Sequence, residues 1–382
     1  MKIRRQEVIR WELANDRPYL YAGPGRGANI ATWNQAARAE HAASTTLPFS
    51  YGMTLLDLVK AFDSVPWHIL VREASRLGYN LWVLRLSIAA YRAPRIIRVD
   101  GIASKPLIPR RSLAAGSGLA TTEMRLIMIH IVDAALLVAP QANPTLYVDD
   151  LSVETVGTDR FVLKHLGTFT LAACRGIRDC LMAVSGTKSL CVASNDSLGS
   201  SLASELQEFG IQHKRRVVSL GSAMGAGRLR NATVLSKRLS NFAKRLPRFR
   251  RLAAARVDNR RLLRTGGVAA MTYGQAITGV SKSTLLKQRR AAAAAAAPHS
   301  GTCGQDLDLA LAVADGSMRG RADPAYDAHL LPIGEWAEGI WHERLLLHAL
   351  QRSTGRALAK LASAKSPWQH VKAPAAAMVA SA

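Results

Sequence analysis

Acidic residues are scarce in this chain. Its 382 residues include 27 Asp+Glu against 51 Lys+Arg, a formal net charge of +24. Such a surface repels basic partners and favours a polyanion, most simply nucleic acid. Cysteine is rarer still. Only Cys174, Cys180, Cys191 and Cys303 occur, and none form a C-x-x-C pair. That spacing argues against a zinc site and against a disulfide-stapled secreted domain. Long apolar runs are also missing. The longest, residues 126–140, is interrupted by His130 and Asp133 and is too short and polar to span a bilayer. The opening M-K-I-R-R-Q-E-V-I-R-W-E lacks the apolar segment of a secretory signal. The expected location is therefore intracellular, nuclear or cytoplasmic, with no membrane. Aromatics make up only 6%, but hydrophobic residues reach 48%, enough for a core and for two or three domains.

The cations are not spread evenly. Residues 214–264 hold 16 Lys and Arg and one acid, Asp258, a net +15. A genome-wide composition bias would not concentrate charge in this way. Apolar residues recur there at helical spacing (Leu235, Leu239, Phe242, Leu246, Phe249, Leu252), so the segment reads as folded helices with a cationic face.

Elsewhere the pattern mixes strands and helices. A Gly-rich turn at 19–34 leads into a helical stretch. T-L-P-F-S-Y-G-M-T-L-L-D-L reads as a loop entering a buried strand that ends near Asp57. Asp63 or Ser64, just before Pro66, is the expected cap of the next helix, which Gly78 stops. R-I-I-R-V-D-G-I reads as a strand entering a turn at Asp100-Gly101. The run A-A-A-A-A-A-A-P at 291–298 reads as a linker. Trp336 and Trp341, in the helical stretch beyond it, are expected in the core.

The segment T-L-Y-V-D-D-L-S-V at 145–153 otherwise alternates like a strand, reads as strand–turn–strand, and carries two adjacent carboxylates, Asp149 and Asp150. Like charges in an apolar run repel and lose hydration unless a cation neutralises them. Asp57 closes another apolar strand 92 residues earlier. Carboxylates so placed can meet on adjacent strands and hold hard divalent cations, which take a few carboxylates together with substrate phosphates and water.

These two segments carry a resemblance. L-L-D-L-V-K-A-F-D-S-V-P-W and L-Y-V-D-D resemble motifs A and C of reverse transcriptases, most closely those of non-LTR (LINE-like) retrotransposons, over roughly residues 19–265. Y-A-G-P-G-R-G-A-N-I-A is similar to the fingers motif. R-R-S-L-A-A-G-S-G-L-A-T-T stands at motif B, with Ala115 where Gln is usual. V-S-G-T-K-S resembles motif D, V-V-S-L-G-S the primer grip, and the basic helices take the thumb's place.

The resemblance implies an α+β right-hand polymerase: fingers and palm on an antiparallel sheet over residues 1–222, a helical thumb over 223–290, and a helical C-terminal extension over 291–382. It implies that Asp57, Asp149 and Asp150 bind Mg²⁺ (or Mn²⁺), with the Leu58 carbonyl assisting. Lys188 would protonate the leaving pyrophosphate, or be a plain surface lysine. Phe62 would exclude a ribose 2′-OH. Arg26 would touch template or triphosphate, or serve only its loop, and Gly116 would border the nucleotide. Leu220, Gly221, Arg245, Arg248, Arg250 and Arg251 would hold nucleic acid. Implied partners are an RNA template, a DNA primer and dNTPs. Two rival readings stand beside this one: an RNA-directed RNA polymerase, and a catalytically inactive RNA-binding protein of the same fold. With short fingers and neither an endonuclease nor a ribonuclease H motif, the chain reads as a fragment of a longer element protein or a decaying copy.

Overall fold

The computed structural model describes residues 5–45, 49–225, 231–297, 304–316 and 321–382. Its strands are β1 (Ser50–Leu56), β2 (Arg98–Val99), β3 (Ile102–Ala103), β4 (Asn143–Tyr147), β5 (Asp150–Gly157), β6 (Leu190–Ala193), β7 (Gln212–His213), β8 (Arg216–Ser219) and β9 (Ser222–Gly225). Two compact units result. The first takes Met1–Ala28 and Tyr51–Lys214, the second Asn29–Ser50 and Arg215–Ala382.

In the first unit the buried run Y-G-M-T-L-L forms β1, with all but Leu55 buried. A strand hidden on both faces needs neighbours on both edges and cover above and below. The sheet order β4-β5-β1-β6-β7 supplies the neighbours. The helix Asp159–Asp179 supplies cover, and Gly52 is what lets it approach. A Cβ there would lie 2.5 Å from Val162 Cγ1 and 2.9 Å from Leu166 Cδ2. The hydroxyls of Thr54 and Thr170 meet at 2.9 Å across the same contact. The helix Ala120–Val138, buried along most of its length, packs against that helix.

The architecture is mixed α and β, as expected, but the sheet is not purely antiparallel. β1–β6 and β4–β5 run antiparallel, whereas β6–β7 is parallel. The helix Asp196–Glu205 between β6 and β7 is a crossover that returns the chain in the same direction. The expected cap is also displaced. Pro66 itself precedes the helix Trp67–Arg76, with no side-chain cap, and Asp63 lies in a separate short helix, Ala61–Ser64. The proline drives Val65 to ψ 117°, because the residue before proline avoids the helical region. Gly78, at φ 65°, stops the helix as anticipated.

The second unit begins with the helix Ala28–Ser44, whose fully buried Trp33 meets Trp336 edge-on at 5.7 Å. Trp341, expected in the core, is 83% exposed. Five residues from Trp336, it lies about 140° round the helix and cannot share its buried face. The β8–β9 hairpin turns at Leu220 and Gly221, both with positive φ (44° and 79°), as two-residue turns of the primed class require. The basic segment forms the helices Thr233–Ala243 and Leu246–Ala254. Their apolar stripe buries Phe242 and Phe249, which join Leu263, Met271, Ala292, Ala293 and Ala295 in one core. The alanine run is therefore not a linker. It completes the helix Lys282–Ala296, as the best helix-forming residue does when its small side chain lets a neighbour close in. Arg228, Arg230 and Cys303 lie outside the described residues. No helix among the described residues is long and apolar enough to cross a membrane.

Candidate active site

Asp57 leaves the end of β1, and its main chain is held on both sides. Its carbonyl accepts from Ser185 N–H at 2.7 Å, and its own N–H donates to Ser189 Oγ at 3.0 Å. Both partners belong to the V-S-G-T-K-S turn, which is thereby fixed against the strand end. The same turn carries Lys188, whose Nζ stands 3.5 Å from Asp57 Oδ2. That oxygen is buried and makes no hydrogen bond. Leu58, next in the chain, is buried and bridged to Val184.

Asp149 and Asp150 occupy the tip of the β4–β5 hairpin. Tyr147 pairs with Asp150, leaving only Val148 and Asp149 in the turn. Val148 takes φ 63°, a left-handed conformation that costs a β-branched residue of order 1–3 kcal/mol and persists only where its surroundings enforce it. β5 lies beside β1 in the sheet, so this strained tip faces the Asp57 end. Electrostatics report the closeness. Burial raises the Asp149 carboxyl above its usual range, and Asp57 adds to the rise. At the more exposed Asp150, partial burial and then the charges of Asp149 and Asp57 push the carboxyl up to about 6. Two neighbouring carboxyls held above their usual range beside a third acid mark a place where a cation would be favoured.

Among the described residues, no three His, Cys, Asp or Glu side chains form a ready-made metal cage. The donors nonetheless fit a hard divalent cation of the Mg²⁺ kind. Asp57 Oδ2 is a buried acceptor without a hydrogen bond, and such an ion takes only a few carboxylates and completes its shell with phosphate and water.

A pH dependence follows. The folded-state pKa of Asp150 is raised, so the folded chain holds its proton more tightly than the unfolded chain does. This contribution to stability is present below about pH 4 and is lost as the pH rises through about 6. A Mg²⁺ ion held by these carboxylates would compete with that proton. The midpoint of thermal unfolding should therefore rise with Mg²⁺ more at pH 7 than at pH 5, and Asp150→Asn should shrink the difference. Differential scanning calorimetry reads this directly; equal Mg²⁺ effects at both pH values would contradict the site.

Phe62 lies half-buried against the main core, and its carbonyl accepts from Leu113 N–H at 2.7 Å. This bond ties the segment after Asp57 to the turn around Gly116, where Gly116 takes φ 87° and a Cβ would meet nothing. Arg26 is engaged locally. Its guanidinium reaches both oxygens of Asp16, at 3.0 and 2.8 Å, and the carbonyls of Arg17 and Leu20.

In the second unit, Arg245, Arg248, Arg250 and Arg251 are all exposed, and no carboxylate among the described residues pairs with them. Three other arginines of the basic segment are spent internally. Arg260 pairs with Asp258, and Arg264 donates to the carbonyls of Ala314 and Asp315. Arg238 donates to the Gly221 carbonyl at 2.8 Å while stacking over Tyr273, whose hydroxyl donates to the Leu220 carbonyl. Sequence reasoning missed this clamp on the hairpin turn, because nothing local distinguishes Arg238 from its neighbours. It also missed Glu123, which burial pushes up to about 7 and which accepts from Tyr91 at 2.5 Å. Tyr91 contacts Ser117 at 3.2 Å, in the Gly116 turn.

No protein-family model matches the chain, and no curated protein matches it.

Proposed function

We propose that this chain is an RNA-directed DNA polymerase of the retrotransposon type, adding dNTPs to a primer 3′-OH on an RNA template. One observation carries the reading: Asp57, Asp149 and Asp150 gather at one end of the central sheet with Lys188 beside them. The first unit then serves as palm with short fingers, and the basic helices of the second serve as thumb.

Asp57 and Asp149 would hold the divalent cations, with Asp150 at the primer side. When bound, such a pair lowers the pKa of the attacking hydroxyl and neutralises the leaving oxygens. The 3′-oxygen forms a bond to the α-phosphorus, and the bond to the departing pyrophosphate breaks. Lys188, already 3.5 Å from Asp57, is placed to give that leaving group a proton. The strained Val148 turn holds the two tip carboxylates in place before substrate arrives, and such preorganisation favours transition-state charge.

Primer extension on poly-rA/oligo-dT with dTTP and Mg²⁺ tests the reading. Extended product is expected; none from a folded chain overturns it. Phe62 supplies the sugar test, since its ring would clash with a 2′-OH. Phe62→Val should raise the use of rTTP relative to dTTP by at least tenfold, for about 1.4 kcal/mol of lost discrimination. An unchanged ratio would make Phe62 a core residue only. High rTTP use by the wild type would favour an RNA-directed RNA polymerase instead.

A further inference from the structure

The β2–β3 hairpin of the first unit stands apart from its core. Every residue from 92 to 108 is exposed, as are Arg110 and Arg111. Arg98 pairs with Ala103 and Val99 with Ile102, and a type-I′-like turn at Asp100 and Gly101 (φ 48° and 83°) closes the ribbon. Lower down, Arg95 and Leu107 exchange both main-chain hydrogen bonds at 2.9 and 2.8 Å. Directly opposed residues share a face. One face therefore presents Val99 and Ile102, 62% and 77% exposed, with Ile97 two residues back on the same side. The other presents Arg98, with Ile96 two residues back and 58% exposed, while Lys105, Arg110 and Arg111 follow along the exposed return arm.

Isolated two-stranded ribbons are marginal in water, and apolar side chains this exposed mark a contact surface. Charge identifies the partner. Residues 92–111 contain Arg92, Arg95, Arg98, Lys105, Arg110 and Arg111 against one acid, Asp100. A second copy of the chain would set this net +5 against another +5 across a two-fold interface. A polyanion would be attracted instead. The ribbon contains no aromatic residue, so it lacks the stacking platform on which single strands are held. What remains is duplex nucleic acid, held through phosphates by the cations and through sugar and groove-wall carbons by the apolar face.

We propose that the β2–β3 hairpin is a second duplex-binding element, separate from the basic helices. It rests on the nucleic-acid part of the function proposed above, but not on catalysis. The test is fluorescence anisotropy with a labelled template–primer duplex and a single strand of equal length, without nucleotide, over a range of KCl concentrations. Changing Arg98, Lys105, Arg110 and Arg111 together to Gln should weaken duplex binding by at least about tenfold. It should flatten the log–log salt slope by about 2 to 3, for roughly three phosphates lost. Single-strand affinity should change less. Val99→Ser with Ile102→Ser should weaken duplex binding while keeping the slope, since it removes no charge. All these residues are exposed, so the fold should survive; circular dichroism verifies it. Unchanged duplex affinity and slope in the folded quadruple variant would overturn the proposal. So would a wild-type dimer, seen by sedimentation, that the Val99/Ile102 variant dissolves, because the apolar face would then belong to a second copy. Failure of the wild type to bind any duplex would instead sink the nucleic-acid reading as a whole.

Discussion

Asp149→Asn is expected to cut primer extension by about a thousandfold while leaving affinity for template–primer within about twofold. The amide is nearly isosteric with the carboxylate, so the β4–β5 tip should keep its shape. What it loses is a full negative charge beside Asp57 and Asp150. Charge stabilisation by catalytic cations is worth several kcal/mol, and about 4 kcal/mol corresponds to a thousandfold in rate. Removing one of three mutually repelling carboxylates also relieves the site. Its charge helps raise the Asp150 carboxyl to about 6, so the variant should be at least as stable as the wild type at pH 7. Rapid-quench extension, filter binding and calorimetry on the same preparation separate the three effects. An equal fall in extension and binding, with the fold intact, would mean that these acids organise the nucleic-acid surface rather than the chemistry.

The second large effect is expected in the basic helices. Phosphate contacts release condensed counterions, so log affinity falls with log salt by about 0.9 per phosphate neutralised on B-form duplex. About five contacts from the basic segment would give a slope of about −4 to −5. The structure shows which cations are available for them. Arg238, Arg260 and Arg264 are committed to carbonyls or to Asp258. Arg248, Arg250 and Arg251 are exposed on the helix Leu246–Ala254, around the buried anchor Phe249. Changing these three to Gln should flatten the slope by about 2 to 3 and weaken all duplex sequences alike, because phosphate contacts position without reading bases. Arg238→Gln should leave the slope almost unchanged, since its charge already serves the β8–β9 turn. A slope that survives the triple substitution would place these arginines toward bulk solvent.

Much of the local structure was legible from residue order. The Asp100-Gly101 turn, the β4–β5 hairpin, the buried strand ending at Asp57 and the amphipathic basic helices all follow from turn chemistry and from periods of 2 and 3.6. Those signals act within a few residues, so one sequence carries them. The same reasoning failed where a neighbour's effect outweighed the motif. Pro66 displaced the cap from Asp63, and helical spacing sent Trp341 to solvent while Trp336 went inside.

Composition and motif order by themselves determined that the chain is short of acid, that its cations concentrate in residues 214–264, and that carboxylates close two apolar segments. Only the tertiary structure decided that Asp57, 92 residues from Asp149, shares an end of the sheet with it, and that Ser185, Lys188 and Ser189 complete that end. It also decided that residues 29–50 pack with 215–382, that the alanine run is core, and that Arg238 clamps the β8–β9 turn. The reason is physical. Strand and helix periods are written in neighbouring side chains, whereas the pairing of distant segments depends on which apolar faces can be buried together once the chain closes on itself.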